Sequence, residues 1–250
     1  MIKSSALEDQ PSTKSTSSSG NFGRTVSKSL KLHLFRHGET GWSLTGQHTG
    51  LTDLPLTSKG EEKARELGHA LRGISFSKVL TSPLKRAWKT CELADLEPSS
   101  EIEADLVEWN YGDYEGQRTV DIWEKNPEWN LYRDGCPNGE SPGDISDRAD
   151  RLITRLRMLD GNVALFSHGQ FGGVLAARWI GIPVEAAQHF RLGTASHSIL
   201  STDPHHPDVP VIELWNEASC TIDRMRMKQG GIESWENEGG EISDEQLPVA

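Results

Sequence analysis

Cysteine is scarce. The 250 residues hold three, Cys91, Cys136 and Cys220. They form no CxxC or Cys/His zinc spacing, and an odd count does not build the disulfide framework of a small secreted domain. A reducing compartment, the cytoplasm, is the expectation. Positive charge is also in deficit: 26 Lys and Arg stand against 37 Asp and Glu, a formal charge of −11. No basic run or aromatic-basic interleaving of the kind a nucleic-acid surface needs relieves that balance, so nucleic acid is set aside as a partner. Long apolar runs are missing too. None approaches the ~18 residues of a transmembrane helix, and the N-terminus lacks the hydrophobic centre of a secretory signal, so neither a membrane partner nor a membrane anchor is expected. A small anionic ligand stays open, because a pocket that focuses a few cations is locally positive on an acidic protein.

This length suits one globular domain with its own core, and leaves a homo-oligomer open. Residues 1–28, with "PSTKSTSSSG", are too poor in large apolar side chains to bury a core and read as a disordered tail. Import into an organelle through that tail is the rival reading; its hydroxyl richness favours it, and Glu8, Asp9 and the shortage of Arg oppose it. Residues 228–250 read as an acidic solvated tail. The domain is then 29–227.

Within it, strand-like and helix-like segments alternate. "LHLF" is an apolar strand, and Ser58 to Gly73 a helix with a capping box, Ser58 facing Glu61, and a closing glycine. A strand from Ser77 to Ser82 precedes a helix from Pro83 to Leu96, with Ser82 placed to cap it. Glu101 to Leu106 reads as a strand, Asp144 to Leu159 as a helix, Asn162 to Ser167 as a strand and Phe171 to Gly181 as a helix. Such βα alternation predicts an α/β fold, a mostly parallel sheet with helices on both faces. "SHSILST" and "VPVIELWN" look like a hairpin-type addition at one edge.

In open α/β sheets the ligand site lies outside the carboxyl ends of the strands. Arg36 and His37 follow the first strand, Arg86 lies in the first turn after the second, Glu108 follows the third and His168 follows "NVALFS" directly. Singly, each reads as a hydrogen-bonded loop residue; five of them at one sheet edge do not. Two arginines, two histidines and a helix N-terminus make a site for a doubly charged phosphoryl group, since guanidinium forks match its oxygens. Gly38 is read as letting the chain turn tightly past them. His33, inside the first strand, reads as a packed residue, and His205 with His206 as a solvated turn. No HExxH occurs.

These residues resemble the histidine phosphatases of the phosphoglycerate-mutase-like superfamily. "LFRHGETGWS", "LTDLPLTSKGEEKA", "TSPLKRAWKT", "EWNYGDYEG" and "FSHGQF" match its motifs in order, over about Leu32 to Ile199. The resemblance implies a Rossmann-like three-layer α/β/α sandwich, and neither metal nor cofactor. It also implies that His37 is a nucleophile forming a phosphohistidine, that Arg36, Arg86 and His168 hold the phosphoryl oxygens, and that Glu108 is the acid and base. That last role needs a raised carboxyl pKa, which a covered pocket beside Trp109 and Tyr111 favours and the nearby cations oppose.

Two features turn the reading from a cofactor-dependent phosphoglycerate mutase. Ser43 stands where mutases have asparagine, and the span from Glu108 to His168 lacks their lysine-rich insertion. "WSLTGQHTGLTDLPLT" and "WNLYRDGCPNGES" instead resemble a branch of acid phosphatases and sedoheptulose-bisphosphatase-type sugar phosphatases. In that branch Gln47, His48 and Thr49 would meet sugar hydroxyls or a second phosphate, though they equally suit a surface turn. Ser43, Tyr111, Arg133 and Gly169 join the candidate pocket wall, Trp123 and Trp129 read as lid or core packing, and Glu140 with Ser141 as a loop and helix start. The expected activity is phosphomonoester hydrolysis of a small phosphorylated metabolite, with a mutase and a catalytically silent scaffold as rivals.

Overall fold

The computed structural model describes residues 29–218. Both expected tails lie outside them, as does Cys220. Six strands form one sheet: β1 (Lys31–Arg36), β2 (Lys78–Thr81), β3 (Ser100–Ile102), β4 (Asn162–Ser167), β5 (Ser196–Thr202) and β6 (Pro210–Ala218). Their order is β3-β2-β4-β1-β5-β6. The first four run parallel, with Lys31 beside Asn162 and Arg36 beside Ser167, while β5 lies antiparallel to β1 and β6 to β5. The closing hairpin is thus an edge addition, as its sequence suggests.

Among the described residues seven α-helices accompany the sheet: α1 (Gly41–Thr45), α2 (Ser58–Ala70), α3 (Lys85–Leu93), α4 (Thr119–Trp123), α5 (Leu131–Asp134), α6 (Pro142–Leu156) and α7 (Gly169–Trp179). In β1, Leu32 and Leu34 join a large cluster with Ile145, Leu152, Phe171 and Val174 of α6 and α7. Phe35, on the other face, joins Leu67 of α2 and Cys91 of α3. A strand covered on both faces has no side free for polar residues, which is why its run is nearly continuous in apolar character. The result is the three-layer α/β/α sandwich.

Several boundaries shift for local reasons. The cap of α2 is Thr57, whose hydroxyl accepts from Gly60 N–H, and not Ser58; Glu61 instead pairs with Arg65 along the helix. Ser82 bonds a histidine as well as Leu84 N–H, and α3 starts after Leu84 without a side-chain cap. The strand expected over Glu101 to Leu106 stops at Ile102, because Glu103 turns to accept Asp105 N–H and starts a tight helical turn. The last helix begins two residues before Phe171, because His168 is itself extended and serves as its N-cap position.

Candidate active site

The carboxyl ends of β1, β2 and β4 bring Arg36, His37, Ser82 and His168 together, and α3 adds Arg86 from its first turn. His37 is pinned through its backbone: its N–H donates to Ser167 and its carbonyl accepts from Ala195. Gly38 N–H donates to Thr90 Oγ1 on α3, whose hydroxyl donates in turn to the carbonyl of Arg86. The glycine is required by crowding and not by turning. A Cβ at Gly38 would lie 2.5 Å from the Gly60 oxygen at the start of α2, and Gly60 in turn abuts Glu39.

The His37 ring is 5.2 Å from that of His168, inclined at 60°. Its Nδ1 donates to the Gly38 carbonyl at 2.7 Å, an oxygen that can only accept, so Nδ1 carries the proton and Nε2 the lone pair. No side chain or backbone group among the described residues bonds that Nε2. Burial lowers the pKa of His37 well below the ordinary histidine value, and the charges of Arg36 and Arg86 push it further down. His168 is shifted the same way by burial, then by Arg86, His37 and Arg36. Both imidazoles are therefore neutral near pH 7.

A cleft of about 600 Å³ opens over His37. Arg36, Ser43, Gln47, His48, Thr49, Glu108, Tyr111 and Gly169 line it together with His37. Arg86 and His168 do not: both are fully buried immediately behind the floor. Arg86 is held by the carbonyls of Thr49, Gly50 and Thr52 and donates through Nε to His168 Nδ1, while His168 Nε2 donates to Ser82 Oγ. Their polar atoms support the floor and do not face an open anion site. Arg36 differs. It donates through Nη1 to the Leu192 carbonyl, but its buried Nε has no partner and lies under Gly169, where a Cβ would sit only 3.2 Å away.

The helix N-terminus expected to receive a phosphate is already occupied. Glu108 Oε1 accepts from Trp109 and Phe171 N–H, and Oε2 accepts from Gln170 N–H, so the carboxyl group of Glu108 takes the N–H groups at the start of α7. Its loop is buckled by Arg148, which donates to the carbonyls of Asp105, Val107 and Glu108 and pairs with Glu140. Glu140 also receives Asn110 N–H, and Ser141 caps α6. Glu140 is thus more than a loop residue; a buried Arg in the pattern of α6 was the available signal.

Ser43 completes a reciprocal capping box with Thr40 at the start of α1, which explains a serine there without any contact to substrate. Gln47, His48 and Thr49 are largely self-satisfied: Gln47 donates to the Gly116 carbonyl, Thr49 to Gln47, and His48 meets Thr119 while stacking on Tyr111. Trp129 is core packing, and the half-exposed Trp123 donates to its carbonyl. Arg133 is corrected: it is exposed, bonded to Asp134 and Glu128, and absent from the cleft wall. The wall that sequence reasoning missed comes from Asn130 to Tyr132 and from Gln188 to Leu192. Among the described residues no group of three or more His, Cys, Asp or Glu is placed to hold a metal, and no helix is long and apolar enough to cross a membrane.

Fold and site define an α/β enzyme whose charged cleft sits at the carboxyl ends of parallel strands. Its family follows from comparison. Residues 32–218 match the histidine phosphatase superfamily, branch 1, and the chain belongs to that superfamily as a phosphatase. It is 38% identical over 173 residues to an acid phosphatase of Mycobacterium tuberculosis, covering 68% of this chain and 85% of that one. It is 37% identical over 185 residues to sedoheptulose 1,7-bisphosphatase of Saccharomyces cerevisiae, covering 61% and 68%. Among solved structures, that of an open reading frame of Mycobacterium tuberculosis superposes with a TM-score of 0.71 at 34% identity, covering 76% of this chain and 98% of that one.

Proposed function

We propose that this phosphatase hydrolyses a small phosphorylated metabolite, a sugar phosphate or bisphosphate, without a metal and through a phosphohistidine on His37. One observation carries the reading: a neutral imidazole whose Nδ1 proton is held by Gly38 lines the cleft with its Nε2 unpartnered among the described residues, and Arg36 lines the same cleft. In the first step the Nε2 lone pair forms the N–P bond as the P–O bond to the alcohol breaks. Glu108 gives its proton to the departing oxygen. In the second step water attacks phosphorus, Glu108 takes the proton back and the N–P bond breaks. Arg36 stabilises the charge on the phosphoryl oxygens throughout, and Arg86 with His168 holds the floor and keeps His37 neutral.

The test is phosphate release from a panel of sugar phosphates in EDTA, by the native chain and by His37→Ala. Release by the native chain alone is the expected result. Undiminished release by the variant, or loss of release in EDTA, defeats the mechanism. Movement of phosphate between the carbons of phosphoglycerate points to a mutase, and no turnover on any ester points to a silent scaffold.

A further inference from the structure

The cleft lining carries three formal charges: Arg36 and Glu108 at the floor, and Arg191 at the rim. The first two have roles in the mechanism. Arg191 has none. Among the described residues its guanidinium forms no hydrogen bond, ion pair or ring contact, unlike Arg65, Arg118, Arg133, Arg148, Arg151, Arg155 and Arg178, which pair with carboxylates, and Arg157, which lies over Trp179. The group it acts on electrostatically is the Tyr132 hydroxyl, and that hydroxyl is itself bonded to Gln170.

The backbone behind Arg191 is fixed. Its carbonyl accepts from Trp215 Nε1 at 3.0 Å, and the next carbonyl, of Leu192, accepts from Arg36. The two cleft guanidiniums are therefore tied to adjacent residues of one short segment. Gln47, His48 and Thr49, the residues whose sequence suggested a second phosphate, are already engaged: Gln47 donates to the Gly116 carbonyl, Thr49 to the Gln47 carbonyl, and His48 meets Thr119. On a chain of net charge −11, a rim cation with no counter-ion among the described residues is the remaining place for a second negative group.

We infer that Arg191 determines specificity by binding a second anionic group of the substrate, a phosphate or a carboxylate, at the end remote from the phosphoryl group taken by His37; this rests on the phosphatase reading of the cleft. The metabolite is then a phosphate ester with two anionic ends. A guanidinium meeting such a group makes charge-assisted bonds, and losing them corresponds to ~10–100-fold in affinity.

Calorimetry on the full chain carrying His37→Gln, which keeps esters intact, tests this with and without Arg191→Gln. The ligands are a hexose 1,6-bisphosphate, 3-phosphoglycerate and a hexose 6-phosphate. The expected result is ~10–100-fold weaker binding of a doubly anionic ligand and a loss at least tenfold smaller for the hexose 6-phosphate, with partial recovery by Arg191→Lys. A loss confined to the bisphosphate or to phosphoglycerate identifies the group as phosphate or carboxylate. Equal losses on all three ligands, no loss on any, or no binding of any, overturn the inference. Phosphate release by the native chain is read separately: discrimination at Arg191 with no release defeats the phosphatase reading and leaves Arg191 standing.

Discussion

Strand β1 carries one histidine of each of two buried pairs. His37 and His168 sit at its carboxyl end with rings 5.2 Å apart, while His33 and His197 lie within the sheet, stacked at 5.1 Å and 14°. All four are shifted below the ordinary histidine value, chiefly by burial. Neither a displaced pKa nor a histidine neighbour therefore separates a site from a core. The separation lies in what the spare ring nitrogen meets. In the sheet, His33 uses Nδ1 on His197 and Nε2 on Asn162, and the orphaned His197 Nδ1 is sealed among Phe35 and its neighbours. At the strand end His37 lines a cleft with its spare Nε2 unpartnered among the described residues, and the charges of Arg36 and Arg86 act on its ring.

The sharpest break of this comparison is covalent. Acid-stable against alkali-stable label on the protein after a few seconds with a 32P-labelled ester distinguishes a phosphohistidine from phosphoserine. The native chain and His197→Gln should both trap the alkali-stable form, and His37→Ala should trap none. Label that survives His37→Ala would place the nucleophile elsewhere and remove the distinction between the pairs.

A second, smaller effect concerns the acid that only the cleft pair possesses. Glu108→Gln keeps the shape and the oxygen that Trp109 and Phe171 N–H meet, loses the acceptor for Gln170 N–H and cannot give up a carboxyl proton, so turnover of alkyl phosphates should fall ~10²–10⁴-fold. Phosphohistidine formation from p-nitrophenyl phosphate, whose leaving group needs little protonation, should fall far less. An equal fall on both esters would show that Glu108 serves only to shape the loop. Arg148→Lys offers the intermediate case, because it keeps the charge while losing the fork that holds the Asp105, Val107 and Glu108 carbonyls. It should reproduce the leaving-group dependence of Glu108→Gln at a lower amplitude.

The contrast also explains what was legible in the sequence. His37, Arg36, Arg86 and His168 follow apolar strands or open the helices after them, so the rule for parallel sheets located all four before any coordinates did. His33 was readable as packed because it interrupts an apolar run without leaving it. The outer wall was not readable. Residues 130–132 and 188–192 belong to short helices and connections with no periodic signal, so nothing in the chain foretold that Arg191 faces the cleft or that Arg133 does not. Side-chain partners were equally hidden: that Glu108 takes the N-terminus of α7, and that Ser82 bonds His168 instead of capping α3, depends on distances between segments far apart in sequence.

The smallest effect tests the closed pair through stability. His197 is pushed down to about 3, by burial first and by His33 second, while the unfolded chain takes up that proton near the ordinary histidine value of 6.5. Below pH 6.5 the unfolded state therefore binds a proton that the native state refuses, and stability falls as the pH is lowered toward 3, by at most about 1.4 kcal/mol per pH unit for this one site. His33 adds in the same direction, moderated by Asn162 and Glu213 and reinforced by Lys31; the cleft pair adds as well. Replacing His197 by glutamine keeps a partner for His33 and removes one titrating group. Urea unfolding between pH 7 and 4.5 should then show a shallower loss of stability in the variant, by up to one proton in slope, with turnover at pH 7 retained. Parallel stability curves would mean that water reaches the His197 ring, and the distinction between an open and a sealed histidine pair would no longer hold.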